Sequence, residues 1–172
     1  MAQTFSSAGT SINSKRLPAI YKKARFAPGD VILDYGCGKY TEHIKSALPA
    51  KVTYLPWDPY NQPDRTNDST KRRLWAGIHS GKPLRVVCSN VLNVIDDAET
   101  VHSIARELAY LADRSGGIVY VTVYEGNRSG EGRQTGPDQY QRNEPIQNYL
   151  RFFPESARIR SGMIVYEGRR QE

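Results

Sequence analysis

The sequence has few cysteines and no long apolar run, and each absence excludes a class of protein. A membrane-spanning helix needs about 18 or more consecutive apolar residues, and every apolar stretch of the sequence is much shorter, so we expect no membrane partner. Residues 1–7 lack the basic and apolar regions of a secretory signal. Two cysteines, Cys37 and Cys88, cannot build a disulfide framework, so we expect free thiols in the reducing cytoplasm.

Histidine is equally rare. The three histidines, His43, His79 and His102, are scattered along the chain. Neither cysteine has a Cys or His neighbour at the spacing that metal ligands show. The sequence therefore predicts no metal site.

Basic residues outnumber acidic ones, 24 to 18, which gives a formal net charge of +6. They gather in five short clusters, at Lys15-Arg16, Lys22-Lys23-Arg25, Lys71-Arg72-Arg73, Arg158/Arg160 and Arg169-Arg170. Such clusters permit a nucleic-acid partner, although two or three charges are also typical of a solvated helix face. Eleven tyrosines are available to stack on bases, but the pattern does not show that they line one groove.

The most informative segment is an apolar strand that ends in Asp34-Tyr35-Gly36-Cys37-Gly38. Glycines at this spacing let the chain turn tightly and let a ligand approach the backbone. A carboxylate at the strand end would repel a pyrophosphate but favour a ligand with a cationic tail. The segment therefore predicts a site for a nucleoside cofactor that is not a dinucleotide.

A second acidic residue supports this prediction. A helix-compatible stretch and a second strand follow the glycine turn, and Asp58 ends that strand 20 residues after Gly38. In cofactor-binding α/β domains, an acidic residue about 20 residues beyond the glycines contacts the ribose hydroxyls. Asp58-Pro59-Tyr60-Asn61 is also good turn chemistry, so a purely structural role for Asp58 stays open.

Together, these motifs resemble those of the class I methyltransferases that use S-adenosylmethionine, over about residues 31–166. The resemblance implies that the amino acid end of the cofactor lies on Asp34, Gly36, Cys37 and Gly38. It implies that Asp58 holds the ribose. It also implies that Ser89 and Asn90, after the strand at 84–88, lie near the transferable methyl group.

One position departs from that family. Where the family places a third glycine, this chain has Tyr40. An alternative function is therefore a catalytically silent module that binds the cofactor or nucleic acid. A further alternative is an enzyme that consumes S-adenosylmethionine in another reaction.

Helical and strand patterns alternate along the chain, which predicts an α/β fold with a mostly parallel sheet. The resemblance makes this a Rossmann-like three-layer sandwich with a C-terminal antiparallel hairpin, in which the family's third strand is shortened or missing between Asp58 and Leu84. We expect residues 1–13 to form a flexible arm and residues 14–172 a single domain.

A catalytic base or substrate clamp is expected in the long loop after the strand at 118–124. Its candidates are Glu125, Arg133, Gln134 and Tyr140. Residues 121–149 of this chain resemble small methyltransferase-like proteins of tailed phages and prophages, and more distantly those beside bacterial DNA-modification systems. This resemblance implies a bacterial or phage-infected host cytoplasm. The expected activity is methyl transfer to nucleic acid or a nucleotide.

Overall fold

The computed structural model describes residues 4–5 and 15–169. Its helices are α1 (Ile20–Lys23), α2 (Glu42–Ala47), α3 (Asp64–His79) and α4 (Ala98–Ser115), with 3-10 segments at Leu92–Val94 and Ile146–Phe152. Its strands are β1 (Val31–Tyr35), β2 (Thr53–Trp57), β3 (Leu84–Ser89), β4 (Ile118–Thr122), β5 (Arg133–Gly136), β6 (Gln139–Gln141), β7 (Arg158–Arg160) and β8 (Met163–Glu167).

Six of these strands form one sheet in the order β2-β1-β3-β4-β8-β7. The first four are parallel, whereas β8 runs antiparallel to β4 and β7 antiparallel to β8. The predicted α/β class, the mostly parallel sheet and the C-terminal antiparallel hairpin are therefore confirmed. A small second sheet, the β5–β6 hairpin, was not predicted.

Helices cover both faces of the main sheet. Alternate residues of a strand point to opposite faces, so neighbouring residues of one strand contact different helices. In β1, Leu33 packs with residues of α3 and α4, whereas Ile32 packs with residues of α1 and α2. All five residues of β1 are buried, as expected for a central strand covered on both sides.

Between β2 and β3 the chain forms one helix and no strand, and every residue of this segment is described. The expected third strand is thus missing. The helix begins at Asp64, within a polar part of the sequence. Polar residues of its first turns are buried because they satisfy backbone groups at the end of β2: Asn67 Nδ2 donates to Asp58 O (2.9 Å) and Thr70 Oγ1 to Pro56 O (2.6 Å).

Most of the predicted N-terminal arm, residues 1–3 and 6–13, lies outside the described residues, as do Ser14 and Arg170. Within the arm, Thr4 N donates to Asp96 Oδ1 (3.0 Å) and the Phe5 ring stacks on Tyr140. The division into an arm and one domain stays a prediction. Among the described residues, no helix is long and apolar enough to cross a membrane. Cys37 and Cys88 are free thiols.

The core predicts a clear stability difference within α4. Leu108 is completely buried, whereas Arg106 on the same helix is exposed. Leu108→Ala should lower the free energy of unfolding by about 2–5 kcal/mol because it leaves a cavity. Arg106→Ala should change it by less than about 0.5 kcal/mol. Urea unfolding of both variants measures this, and equal midpoints would contradict the described packing.

Candidate functional site

A cavity of about 1150 Å³ opens at the carboxyl ends of β1, β2 and β3. The chain passes from β1 to β2 on one side of β1 and then returns to β3 on its other side. Ligands of open α/β sheets bind at such a switch point. The cavity wall includes all seven residues predicted to bind the cofactor: Asp34, Gly36, Cys37, Gly38, Asp58, Ser89 and Asn90.

The glycine turn after β1 folds back onto the end of β2. Gly36 and Gly38 both have positive φ angles, 75° and 73°, which favour glycine. The Gly36 and Cys37 N–H groups donate to Trp57 O, at 2.8 and 3.2 Å. A Cβ on Gly36 would collide with Val91 Cγ2. Gly36 is therefore required by packing within the protein, independently of any ligand.

The Asp58 carboxylate holds this turn to the loop after β2. Its Oδ2 accepts from Gly38 N (2.9 Å). Its Oδ1 accepts from Tyr60 N and Asn61 N, both at 2.9 Å, and from Asn61 Nδ2 at 3.2 Å. A carboxylate has about four acceptor sites, so a ribose hydroxyl would have to share or replace these contacts. The ribose role of Asp58 stays a prediction, and its structural role is the one that the hydrogen bonds display.

Asp34 lies beneath the turn and is only 2% exposed. Tyr54 OH donates to its Oδ2 at 2.5 Å. Burial raises the pKa of Asp34 to about 6, although the Tyr54 and Tyr21 hydroxyls counteract it, and the negative charge of Asp58 adds a smaller increase. A cation beside Asp34 would favour its ionised form. The lower part of the cavity therefore contains a carboxyl group whose ionised form a cationic ligand would stabilise.

Tyr21, from α1, reaches the same place. Tyr21 lines the cavity, and its buried hydroxyl lies close to Asp34, although no described atom meets it at full hydrogen-bonding distance and angle. Burial, with the nearby Asp34 charge, raises its pKa well above the ordinary value. A buried hydroxyl without a partner is costly. A polar ligand group in the cavity would relieve that cost.

Cys37 does not provide a nucleophile. Burial raises the pKa of its thiol, and the charges of Asp34 and Asp58 raise it further. The thiolate is the reactive form of cysteine, so this side chain stays protonated and inert. Its Sγ lies 3.5 Å from Gly38 O, as a weak donor within the turn.

Ser89 and Asn90 border the cavity where β3 ends. Ser89 Oγ shares a hydrogen bond with Thr122 Oγ1 (3.1 Å), and Asn90 N donates to Thr122 O (2.8 Å). Asn90 adopts the left-handed conformation, with φ of 56°, and its side chain is exposed. Asn90 is thus available to a ligand, whereas the Ser89 hydroxyl is already paired.

Residues of the β5–β6 hairpin form part of the cavity wall. Of the four candidates for a base or substrate clamp, Arg133 and Tyr140 line the cavity, and their role stays a prediction. Glu125 and Gln134 are not among the described lining residues. Glu125 accepts from Ile146 N (2.8 Å) and pairs with Arg128, and the Ile146 contact holds its pKa below the ordinary value. Gln134 bonds Gly136 O in the hairpin turn. Both residues therefore stabilise the loop.

No protein-family model, curated protein or solved structure matches this chain. The chemistry of the cavity therefore has to be inferred from its own residues. Among the described residues, no group of three or more His, Cys, Asp or Glu side chains is placed to hold a metal ion.

Sequence reasoning missed several groups of the site. Tyr21 and Tyr54 come from different elements and carry no motif, so only the fold brings them to Asp34. The hairpin is held by an amide network in which Asn93 Nδ2 donates to Gln141 Oε1 (3.1 Å) and Gln141 Nε2 to Tyr124 O (2.8 Å). The glutamine-rich composition of this segment was the signal that could have indicated a hydrogen-bonded hairpin.

The structural role of Asp58 predicts a stability effect. Asp58→Ala leaves three backbone N–H groups without their acceptor and should lower the free energy of unfolding by about 2–4 kcal/mol. Asp58→Asn should cost less, because one oxygen remains. The exposed Asp68→Ala on α3 is the matched control. Chemical denaturation of all three variants tests this, and an Asp58→Ala variant no less stable than the control would refute the role.

Asp34 predicts a pH effect. The folded protein holds the Asp34 proton more tightly than the unfolded chain, since burial raises the pKa from 3.8 to about 6. Stability should therefore fall as pH rises from about 4 to about 6. Asp34→Asn removes this component and keeps an oxygen that accepts from Tyr54. Its unfolding free energy relative to wild type should gain about 3 kcal/mol between about pH 4 and about pH 7.

Denaturation at several pH values measures this difference. Asp68→Asn, on the exposed side of α3, should run parallel to wild type across the same range. A constant difference between Asp34→Asn and wild type would show that Asp34 titrates normally.

Proposed function

We propose that this chain is a methyltransferase that uses S-adenosylmethionine and acts on nucleic acid or a nucleotide. One observation carries the proposal. The switch-point cavity has two buried carboxyls beside the glycine turn, Asp34 and Asp58, which are 2% and 5% exposed. Buried acidic groups suit a cofactor with positive sulfonium and ammonium groups, and they oppose the pyrophosphate of a dinucleotide. The strand order with its terminal antiparallel hairpin supports the finer assignment to a Rossmann-like three-layer fold.

The size and polarity of the cavity fit the cofactor. At about 1150 Å³, the cavity exceeds the about 300–1,000 Å³ of typical single-ligand pockets, which leaves room for an acceptor group. The Tyr21 side chain lines the cavity, and its buried hydroxyl has no well-formed hydrogen bond within the described residues, so it offers a polar contact to a ligand. The Asp58 oxygens fit less directly, because the loop already occupies them.

S-adenosylmethionine supplies a methyl group that its sulfonium already activates. The task of the protein is then to position the two reactants, and a general base is needed only for an acceptor with a proton to lose. Asp34 would favour the cationic end, and the exposed Asn90 amide would contact the ligand near the end of β3. Arg133 and Tyr140, across the cavity on the hairpin, are the groups that would contact the acceptor.

Of the catalytically silent modules, one that binds nucleic acid and no cofactor is the second candidate function. The saturation of Asp58 by the protein's own N–H groups favours it, as does Tyr40 in the cavity wall. Under this alternative, the cavity would bind no cofactor, and the basic surface would bind nucleic acid alone.

Calorimetry with S-adenosylmethionine and S-adenosylhomocysteine separates the two candidates. We expect both ligands to bind with micromolar dissociation constants. Asp34→Asn should weaken the binding of S-adenosylmethionine by about tenfold at neutral pH, because it removes a negative charge that attracts the cationic cofactor. A tenfold loss corresponds to the free energy of one pKa unit. Asp68 is exposed and is not among the described lining residues, so Asp68→Asn should bind as wild type does, and NAD⁺ should not bind.

S-adenosylhomocysteine has a neutral sulfur and therefore carries less positive charge, so Asp34→Asn should weaken its binding less. The absence of both a binding heat and a thermal shift, with either ligand, would overturn the proposed methyltransferase and favour the silent module. Because Asp34→Asn is expected to fold at least as well as wild type near neutral pH, lost binding would report on the site.

A further inference from the structure

The charges that line the cavity are separated by depth. The carboxyls of Asp34 and Asp58 are buried at its inner end. The cationic side chains in its wall, Arg16 and Arg133, belong to exposed residues. An inner end that suits a cation is thus surrounded by an opening that suits an anion.

Two lysines add to the positive opening. The Tyr40 ring forms part of the cavity wall. Lys15 Nζ lies 5.1 Å and Lys39 Nζ 5.7 Å from the centre of that ring, within the range of cation–π attraction. Tyr40 stands where the class I methyltransferases have a third glycine, and its ring therefore attracts two cationic groups to the opening.

Two further tyrosines present exposed rings at the same opening. Tyr60 is 53% exposed and Tyr124 is 64% exposed, and both line the cavity. Their backbones are held by buried side chains: Tyr60 N donates to Asp58 Oδ1 (2.9 Å), and Tyr124 N donates to Asn93 Oδ1 (3.3 Å). Flat apolar rings on a fixed backbone lose little conformational freedom when a ligand stacks on them.

We propose that this opening binds single-stranded nucleic acid, with bases stacked on Tyr60 and Tyr124. Arg16, Arg133, Lys15 and Lys39 contact the phosphates. Positive charge interleaved with exposed aromatic rings is the general means of binding a single strand. A base held out of a duplex can enter the cavity, whereas a paired base cannot reach its inner end. The inference names the acceptor for the methyl transfer proposed above and rests on that function for its chemistry.

Fluorescence anisotropy with a labelled single strand of about 20 nucleotides, as DNA and as RNA, tests the inference. Tyr124→Ala should weaken binding by about tenfold. Arg16→Ala combined with Arg133→Ala should weaken binding and lower the magnitude of the salt slope by about 1.4. The matched controls are Tyr110→Ala, which removes a ring 52% exposed on α4, and Arg72→Ala with Arg73→Ala on the exposed face of α3. Both controls should leave affinity near that of wild type.

Three results would overturn the inference: no binding of a single strand, tighter binding of the matching duplex, or equal losses in the control variants. Calorimetry with S-adenosylmethionine on the same preparations keeps this test separate from that of the reaction. Strand binding through the opening without cofactor binding would support the surface and overturn the methyltransferase. Cofactor binding without strand binding would overturn the surface alone.

Discussion

The cavity depends on one buried carboxylate, that of Asp58. It joins two loops that are distant in sequence, because one oxygen accepts from Gly38 and the other from Tyr60 and Asn61. The backbone of Asp58 is held in turn by the Asn67 side chain, which accepts from Asp58 N and donates to Asp58 O. Glycine turn, strand end and helix start are thereby fastened at a single residue. A buried charge is tolerated here because hydrogen bonds replace its lost hydration.

The buried carboxyl groups of Asp58 and Asp34 make the inner end of the cavity polar. Asp34 accepts fewer hydrogen bonds than Asp58 and shares the space with Tyr54 and Tyr21, and burial raises its pKa. A group with incomplete compensation, lining a cavity, is typical of functional sites. The exposed cations and rings around the opening have the opposite character. The molecule thus separates two kinds of ligand chemistry within one cavity.

Local patterns predicted the parts of the fold that depend on neighbouring residues. The glycine turn, Asp58 at the end of β2, the parallel strands and the terminal hairpin follow from hydrophobic runs, turn residues and spacing. The start of α3 does not follow from such patterns, because Asn67 and Thr70 are polar in sequence and buried in the structure, where they donate hydrogen bonds to the end of β2. The β5–β6 hairpin was missed because its strands are short, mostly polar and without apolar alternation.

The sequence by itself determined the α/β class, the glycine turn and the set of residues at the strand ends, since parallel strands bring their carboxyl ends to one edge of a sheet. Only the tertiary structure decided what each residue does there. It directs Glu125 to Ile146, saturates Asp58 with backbone N–H groups, and brings Tyr21 and Tyr54 beside Asp34. Of the five basic clusters, only Lys15-Arg16 has a residue in the described cavity wall. Hydrogen-bond partners and charge neighbours depend on contacts between distant segments, which one-dimensional spacing does not specify.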